Sequence, residues 1–218
     1  MRLTKVVLPC GLTCLLAATA MADPFSFSGT FPQDDKVALF EFRVSTPGAV
    51  TLETYSFGGG TNDLGQAVPS GGFDTVLSLY SDSGSLINYT VTWSCPPGNI
   101  DPASALGCGD AFLNPILSAG NYILALTEYF NIPNGLHLSD GFFESGAGNF
   151  TGPLLCGVPG GFYDAACDQR NGKFEVDIVG TGVKAASPVP EPDSIALLGL
   201  AVLACAKRLW PRTALSKR

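Results

Sequence analysis

Basic residues are scarce in this chain of 218 residues, except at its two ends. Between Asp23 and Pro190 there are 17 acidic residues and 5 basic ones, so this part carries a formal charge of −12. Binding to nucleic acid and adsorption to anionic lipid both require cationic side chains that neutralise phosphates. The composition therefore argues against both partners, and divalent cations or neutral polysaccharide remain as alternatives.

The chain also lacks the signatures of common catalytic and zinc sites. His137 is its single histidine, no nucleophile motif accompanies it, and no Cys-x-x-Cys spacing occurs. A catalytic histidine needs a nucleophile or a metal partner, so His137 is predicted to be an ordinary loop or strand-edge residue and the chain not to be an enzyme. A glycosidase would need two carboxylates facing across a cleft. The candidates for such a pair are Asp74, Asp110, Glu128, Asp140 and Glu144.

A sustained helical period is absent outside the two ends, whereas short alternating segments are frequent. Phe40, Phe42 and Val44 alternate with Glu41 and Arg43, which predicts a strand with the charged side chains in water. A turn at 46–48 and a second alternating segment at 50–54 predict a β-hairpin with that strand. Further strands are predicted at 25–28, 75–80, 86–93, 121–126 and 173–181.

Four cysteines lie between the two ends, an even number that is typical of disulfides in an exported protein. Of the three possible connectivities, the local one, Cys95–Cys108 and Cys156–Cys167, closes two short loops in glycine-rich chain with few strand signals. Each such loop would stabilise the fold by about 3 kcal/mol in the chain-entropy treatment. Local pairing is therefore the prediction, and a zinc site is the alternative.

Two kinds of ligand contact remain open on the loops. Calcium prefers oxygen ligands, which acidic loops supply, although no EF-hand spacing is present; without calcium these residues are ordinary turn residues. The calcium candidates are Asp34, Asp35, Asp63, Asp164 and Asp168. Aromatic side chains could stack on sugar rings or fill the core, and the candidates are Tyr55, Phe57, Trp93, Tyr129 and Phe130.

The first 22 residues have the composition of a secretory signal peptide. Arg2 and Lys5 form its charged start, and residues 6–18 its apolar middle. Small residues favour cleavage after Ala20 or Ala22, of which Ala22 is preferred. The chain after this point, up to the C-terminal tail, is therefore predicted to be exported.

The last thirty residues have three consecutive parts, of which the first is an extended proline motif. The second is a twelve-residue apolar run, Ile195–Ala206, about 18 Å long as a helix and shorter than a hydrocarbon core of about 30 Å. The third is a cluster of cationic residues that favours the cytoplasmic side. The proline motif consists of Val189, Pro190, Glu191 and Pro192, and the basic cluster of Lys207, Arg208, Arg212, Lys217 and Arg218.

This order of parts resembles the PEP-CTERM sorting signal of Gram-negative bacteria, which an exosortase reads and processes. The resemblance implies an exosortase as partner, cleavage near the proline motif, and passage through the inner membrane to the cell surface or extracellular matrix. The alternative is an ordinary short membrane anchor.

Residues 29–180 resemble the β-sandwich modules of pre-peptidase C-terminal type and their uncharacterised relatives upstream of PEP-CTERM tails. An apolar-Ser-turn-Gly pattern followed by a strand occurs at Val44–Leu52 and again at Leu117–Leu124, and the segment Leu138–Phe142 is similar to the uncharacterised relatives. The predicted fold is all-β, a single jelly-roll-like antiparallel sandwich. The predicted divisions are 1–22 signal peptide, 23–183 ectodomain, 184–193 linker, 194–210 transmembrane or sorting helix, and 211–218 basic cytoplasmic tail.

These observations predict an exported surface or matrix protein with a structural or adhesive role. Its association with exopolysaccharide or biofilm is implied by the sorting signal and not by individual residues. The alternatives are a carbohydrate-binding module and, third, a secreted hydrolase. No cofactor is expected, and calcium remains a hypothesis.

Overall fold

A computed structural model describes residues 25–90, 101 and 104–185 of the chain. The described part is almost entirely β-structure, as predicted, and the described strands up to Lys184 belong to one compact unit. The strands are β1 Phe25–Thr30, β2 Ala38–Val44, β3 Gly48–Ala49, β4 Thr51–Thr54, β5 Gly60–Thr61, β6 Ala67–Val68, β7 Thr75–Ser81, β8 Leu86–Tyr89, β9 Phe112–Leu113, β10 Ile116–Leu117, β11 Gly120–Glu128, β12 Lys173–Val179 and β13 Val183–Ala185. Short helical turns occur at Leu138–Asp140 (3₁₀) and Gly152–Cys156 (π).

Two antiparallel sheets carry the fold. One has four strands in the order β1-β12-β4-β9, and the other has five in the order β13-β2-β11-β7-β8. Two small ribbons, β10-β3 and β5-β6, supplement them. The predicted antiparallel β-sandwich is therefore confirmed.

The apolar residues of alternate positions meet between the two sheets. In β2, Phe42 and Val44 are buried while Glu41 and Arg43 are exposed, as the alternation predicted. Leu52 of β4 and Ile178 of β12 enter the same cluster from the opposite sheet. The alternation of a half-buried strand thus directs one face of each sheet into a common core.

The prediction that β2 and β4 form a hairpin is wrong. The strand β2 pairs with β11, and β4 pairs with β12 and β9 of the other sheet. The turn at 46–48 is therefore a corner at which the chain changes sheets. Two alternating strands joined by a turn have the same local pattern in either arrangement, because alternation defines a face and not a partner.

A second, smaller cluster covers the outer face of the five-stranded sheet. Tyr80 and Ala125 pack there against Phe142, which lies in the long excursion between β11 and β12. This excursion contains the glycine-rich loop closed by Cys156 and Cys167, and it carries both helical turns. The residues of this small cluster thus belong to the five-stranded sheet and to the excursion, and the outer face of the four-stranded sheet is described below.

Candidate functional site

The outer face of the four-stranded sheet is polar. Along β12, Phe174, Val176 and Ile178 pack in or against the core, so Glu175 and Asp177 lie on the opposite face. Asp177 is paired in register with Ser26 of β1 and with Glu53 of β4. The alternation of three neighbouring strands thus places a row of polar side chains across this face.

Three carboxylates converge in this row. One oxygen from each of Glu53, Asp63 and Asp177 lies within 4.8 Å of the others, and we call this group the carboxylate trio. Asp63 reaches it from the loop between β5 and β6, where its backbone N–H donates to Asp177 Oδ2 at 2.7 Å. The Ser26 hydroxyl donates to Asp177 Oδ1, and the Tyr55 hydroxyl donates to Glu53 Oε1 at 2.8 Å.

The negative charges of the trio repel one another, and this affects the pKa values of its members. Burial raises the pKa of Glu53, and the charges of Asp63 and Asp177 raise it further. Burial also raises the pKa of Asp177, to which Asp63 and Glu175 add. The phenol of Tyr55 has a raised pKa for the same reasons, burial first and Glu53 second. Such a group can take up protons or a hard cation, because either would reduce the repulsion.

A polar groove of about 370 Å³ adjoins the trio, between β1, β12 and the β5-β6 ribbon. At its floor Asn62 donates through Nδ2 to Glu175 Oε1 at 2.8 Å and to Ser26 Oγ at 2.9 Å. Among the residues of the groove, Phe174 is the aromatic one and Glu175 the acidic one. Polar side chains of the groove include Ser28, Thr30, Asn62, Gln66, Ser70, Asn171, Lys173 and Glu175.

The calcium candidates predicted from the sequence lie in different surroundings. Asp63 belongs to the trio. Asp34 is fully buried and accepts from the backbone N–H groups of Phe150, Thr151 and Phe162 at 2.8–3.0 Å. Its Oδ2 also accepts from the hydroxyl of Thr151.

The other three candidates lie in turns. Asp35 pairs with Lys36 at 3.0 Å and accepts from the N–H of Gly148. Asp164 is buried and accepts from two backbone N–H groups of its own turn, one of which belongs to Asp168. The side chain of Asp168 is exposed. The structure thus brings Asp63 together with Glu53 and Asp177, and gives Asp34, Asp35 and Asp164 hydrogen-bond donors of their own.

Most of the carboxylates considered for a hydrolytic pair lie in the interior. Asp110 is buried and accepts from Thr54 Oγ1 and from the backbone N–H groups of 56, 57 and 58. Burial nevertheless raises the pKa of Asp110 to about 6. Asp74 and Glu128 are buried as well, whereas Asp140 is exposed and Glu144 half-buried.

One buried cation accompanies these acids among the described residues. The Arg170 guanidinium donates to Asp101 Oδ2 from both terminal nitrogens at 3.1 Å, to the carbonyl of Gly72 at 3.0 Å and to that of Phe57 at 2.8 Å. It also lies 3.7 Å above the centre of the Phe57 ring. Four of the five N–H groups of the guanidinium are therefore directed at these partners.

The aromatic candidates do not form a flat platform within the described chain. Phe57 is fully buried beneath Arg170. The rings of Tyr129 and Phe130 are 4.1 Å apart at an angle of 50°. Trp93 lies outside the described residues, and His137 is exposed beside the 3₁₀ turn.

The disulfide Cys156–Cys167 is present, with Cα atoms 5.6 Å apart. Cys108 is also disulfide-bonded. Cys95, its predicted partner, lies outside the described residues, as do the predicted signal peptide, the proline motif and the basic cluster.

Sequence reasoning missed Glu53, Asp177 and Ser26. The alternation of β12 contained a signal for Asp177, since Phe174, Val176 and Ile178 were expected on one face and Asp177 therefore on the other. No local signal indicated that Glu53 and Ser26 would flank it, because strand neighbours are chosen by long-range pairing.

No helix among residues 25–90, 101 and 104–185 is long and apolar enough to cross a membrane. Residues 188–209 match the PEP-CTERM protein-sorting motif. The predicted sorting signal is thereby confirmed, and the chain is an exported protein directed to the cell surface, with an exosortase as the implied processing enzyme.

Among solved structures, the chain is similar to the pre-peptidase C-terminal domain of collagenase from Bacillus anthracis. The two are 11% identical, the match covers 73% of this chain and 88% of that domain, and the TM-score is 0.32. A similarity this distant implies nothing about activity or ligands. No curated protein matches the chain.

Proposed function

We propose that this protein is a non-catalytic component of the cell surface or extracellular matrix of a Gram-negative bacterium, with a structural or adhesive role on exopolysaccharide. The observation that carries the proposal is the sorting motif at 188–209, which follows an acidic β-sandwich. In this proposal the motif directs the chain from an inner-membrane intermediate to the outside. The sandwich is then the part that acts there.

The residues of the tail account for each step of this route. Proline disfavours helical backbone at the residue before it, so the sequence around Val189 and Glu191 favours the extended form that a processing enzyme can bind. The apolar run is short for a permanent anchor, and the basic cluster behind it resists translocation. The chain therefore pauses in the membrane long enough to be processed.

The polar groove supports a binding role better than a catalytic one. Its single carboxylate, Glu175, accepts from Asn62, so it is held by a neighbour and not opposed by a second acid across the groove. Hydroxyl, amide and ammonium groups line the groove together with apolar side chains such as Val68 and Phe174, and the polar groups can exchange hydrogen bonds with the hydroxyls of a neutral sugar. This observation also favours the second candidate, a carbohydrate-binding module.

The sorting part is tested by mass spectrometry of the surface form in a host with an exosortase. We expect a membrane-bound precursor and a surface product that lacks residues 195–218. Glu191→Ala should leave the precursor in the membrane, because the processing enzyme no longer recognises the motif. A surface product that still carries residues 195–218 would leave only a simple anchor.

The polysaccharide part is tested on the same surface product by co-sedimentation with the exopolysaccharide of the host. We expect retention, and a loss of several-fold in the exposed groove variants Gln66→Ala and Lys173→Ala. Lys184→Ala, an exposed lysine of β13 outside the groove, is the matched control and should be retained like the wild type. Equal retention of all variants would exclude the groove, and no retention at all would exclude the adhesive role.

A further inference from the structure

Six acids and one arginine interact electrostatically in the interior of the sandwich. Most of the acids have donors: Asp34, Asp110 and Asp164 accept from N–H and hydroxyl groups, and Asp101 pairs with Arg170. Asp74 and Glu128 are the exceptions. Glu128 is 1% exposed and Asp74 is 3% exposed, yet Glu128 Oε2 and Asp74 Oδ1 accept no hydrogen bond from any residue that the structure describes.

These two residues lie at adjacent ends of neighbouring strands, and the charge of Asp74 acts on the Glu128 carboxylate. Glu128 ends β11 and is paired in register with Thr75, the residue after Asp74. The N–H of Tyr129 donates to the carbonyl of Asp74 at 2.9 Å, which ties the two strand ends together. Glu128 is repelled first by Asp74 and then by Asp34 and Asp164, so its carboxylate lies in a field of the same sign.

Arg170 does not neutralise the pair. All its hydrogen bonds go to Asp101 and to the carbonyls of Gly72 and Phe57. Burial raises the pKa values of both Asp74 and Glu128 well above their ordinary range. The attraction of Arg170 lowers these pKa values only in part. An unpaired buried carboxylate is costly, so the pair needs a positive partner or a proton.

We propose that the Asp74 and Glu128 carboxylates bind a divalent cation, with Ca²⁺ as the fitting ion, between the ends of β7 and β11. Two carboxylates match its charge, and the charges of Asp34 and Asp164 add attraction from a distance. Ca²⁺ accepts irregular sets of oxygen ligands, whereas Mg²⁺ keeps several waters in strict octahedral geometry and Zn²⁺ prefers nitrogen and sulfur. The ion would link the ends of β7 and β11 and thereby stabilise the folded domain.

The pair is distinct from the carboxylate trio on the outer face of the other sheet. Asp63 of the trio is exposed, and Asp177 and Glu53 already accept from Ser26, Tyr55 and the backbone. The trio is the other group of carboxylates that can take up a cation, so a variant of Asp63 distinguishes binding at the trio from binding at the pair.

The test uses the full-length protein, purified in detergent and stripped of metal with EGTA. Ca²⁺ is titrated by calorimetry at pH 7.5, and thermal melts are recorded with Ca²⁺ and with EGTA. We expect saturable binding and a melting temperature that rises by several degrees with Ca²⁺. Asp74→Asn and Glu128→Gln should each weaken binding by roughly 100-fold or more, given that even indirect contacts to a metal ligand are worth 10–100-fold.

The same variants have a second expected property. In EGTA they should melt at or above the wild-type temperature, because a neutral amide replaces an unpaired buried charge. Asp63→Asn should retain the calcium-dependent shift. Glu128→Asp, which keeps the charge but withdraws it by one methylene, should fold and bind more weakly, and it covers the case in which an amide variant fails to fold.

Two results would overturn the proposal. Wild-type protein whose melt is the same with Ca²⁺ and with EGTA, and whose stability falls as the pH rises through neutrality, would hold a shared proton in place of a cation. Calcium binding that survives Asp74→Asn and Glu128→Gln but disappears in Asp63→Asn would place the ion at the trio.

Discussion

At the scale of single residues, the fate of a carboxylate depends on the donors around it. Asp34 accepts hydrogen bonds from three backbone N–H groups and a hydroxyl, and Asp101 pairs with Arg170. Glu53 accepts a hydrogen bond from the phenol of Tyr55 and is repelled by two acidic neighbours. The same functional group is therefore stabilising in the first two places and strained in the third. This difference has measurable consequences for stability as a function of pH.

Glu53→Gln should raise the free energy of unfolding at pH 7 by about 1 kcal/mol and change it little at pH 4. The pKa of Glu53 is raised in the folded state, so the folded protein binds the proton more tightly than the unfolded chain does. This contribution to stability is present below the ordinary pKa of 4.5 and is lost as the pH rises through the folded value. Gln keeps an acceptor for the Tyr55 hydroxyl, so the gain at pH 7 reflects the removed charge.

Urea denaturation in EGTA at both pH values measures this effect. Glu41→Gln is the control, because Glu41 is an exposed acid on β2. A loss of stability at pH 7 in Glu53→Gln would mean that the trio is held by attractive contacts.

At the scale of elements, the long excursion between β11 and β12 is held at defined points. One is the disulfide Cys156–Cys167, and another is Asp34, which lies on the connection from β1 to β2. Asp34 gathers the backbone on both sides of the π-helical turn and leaves no space beside Gly161, where a Cβ would lie 2.6 Å from Asp34 Oδ2. A segment with few strand signals is thus held by one buried acceptor in addition to the disulfide.

Asp34→Ala should therefore destabilise the protein by about 3 kcal/mol or more, because it leaves several buried N–H groups without an acceptor. Denaturant unfolding measures the loss, and hydrogen exchange should show lost protection at residues 148–163. The matched control is Asp82→Ala, an exposed turn residue, which should change stability by less than about 0.5 kcal/mol. A loss below about 1 kcal/mol in Asp34→Ala would show that the disulfide alone orders the excursion.

At the scale of the whole molecule, the sandwich carries a negative net charge and the C-terminal tail a positive one. The domain between the two signals carries the excess of acids, while 5 of the 12 basic residues lie in the last twelve positions. This division favours export of the domain and retention of the tail on the cytoplasmic side. Sorting therefore depends on the position of the cations more than on the net charge of −7.

Replacing Lys207, Arg208 and Arg212 by Ser should let intact protein escape from the membrane, because the charges that resist translocation are removed. Fractionation followed by mass spectrometry should then find full-length chain, with residues 195–218, outside the cell. Arg43→Ser with Lys184→Ser removes exposed cations from the sandwich and should leave sorting unchanged. If the tail variant stays in the membrane, the apolar run stops translocation without the basic cluster.

Much of the architecture could be predicted from the sequence because its signals are local. The alternation of Phe40, Phe42 and Val44 defined a strand and its buried face, and the order of proline motif, apolar run and basic cluster defined the sorting signal at 188–209. Both patterns are complete within a few residues, so no knowledge of distant chain is needed.

Only the tertiary structure decided which residues meet. The corner at 46–48 directs β2 and β4 into different sheets. Glu53, Asp63 and Asp177 converge from three separate segments. The strand ends that carry Asp74 and Glu128 are neighbours although 54 positions separate these residues in the chain. These neighbours follow from long-range strand pairing and from burial, which depend on the free energy of the whole sandwich and leave no local mark in the sequence.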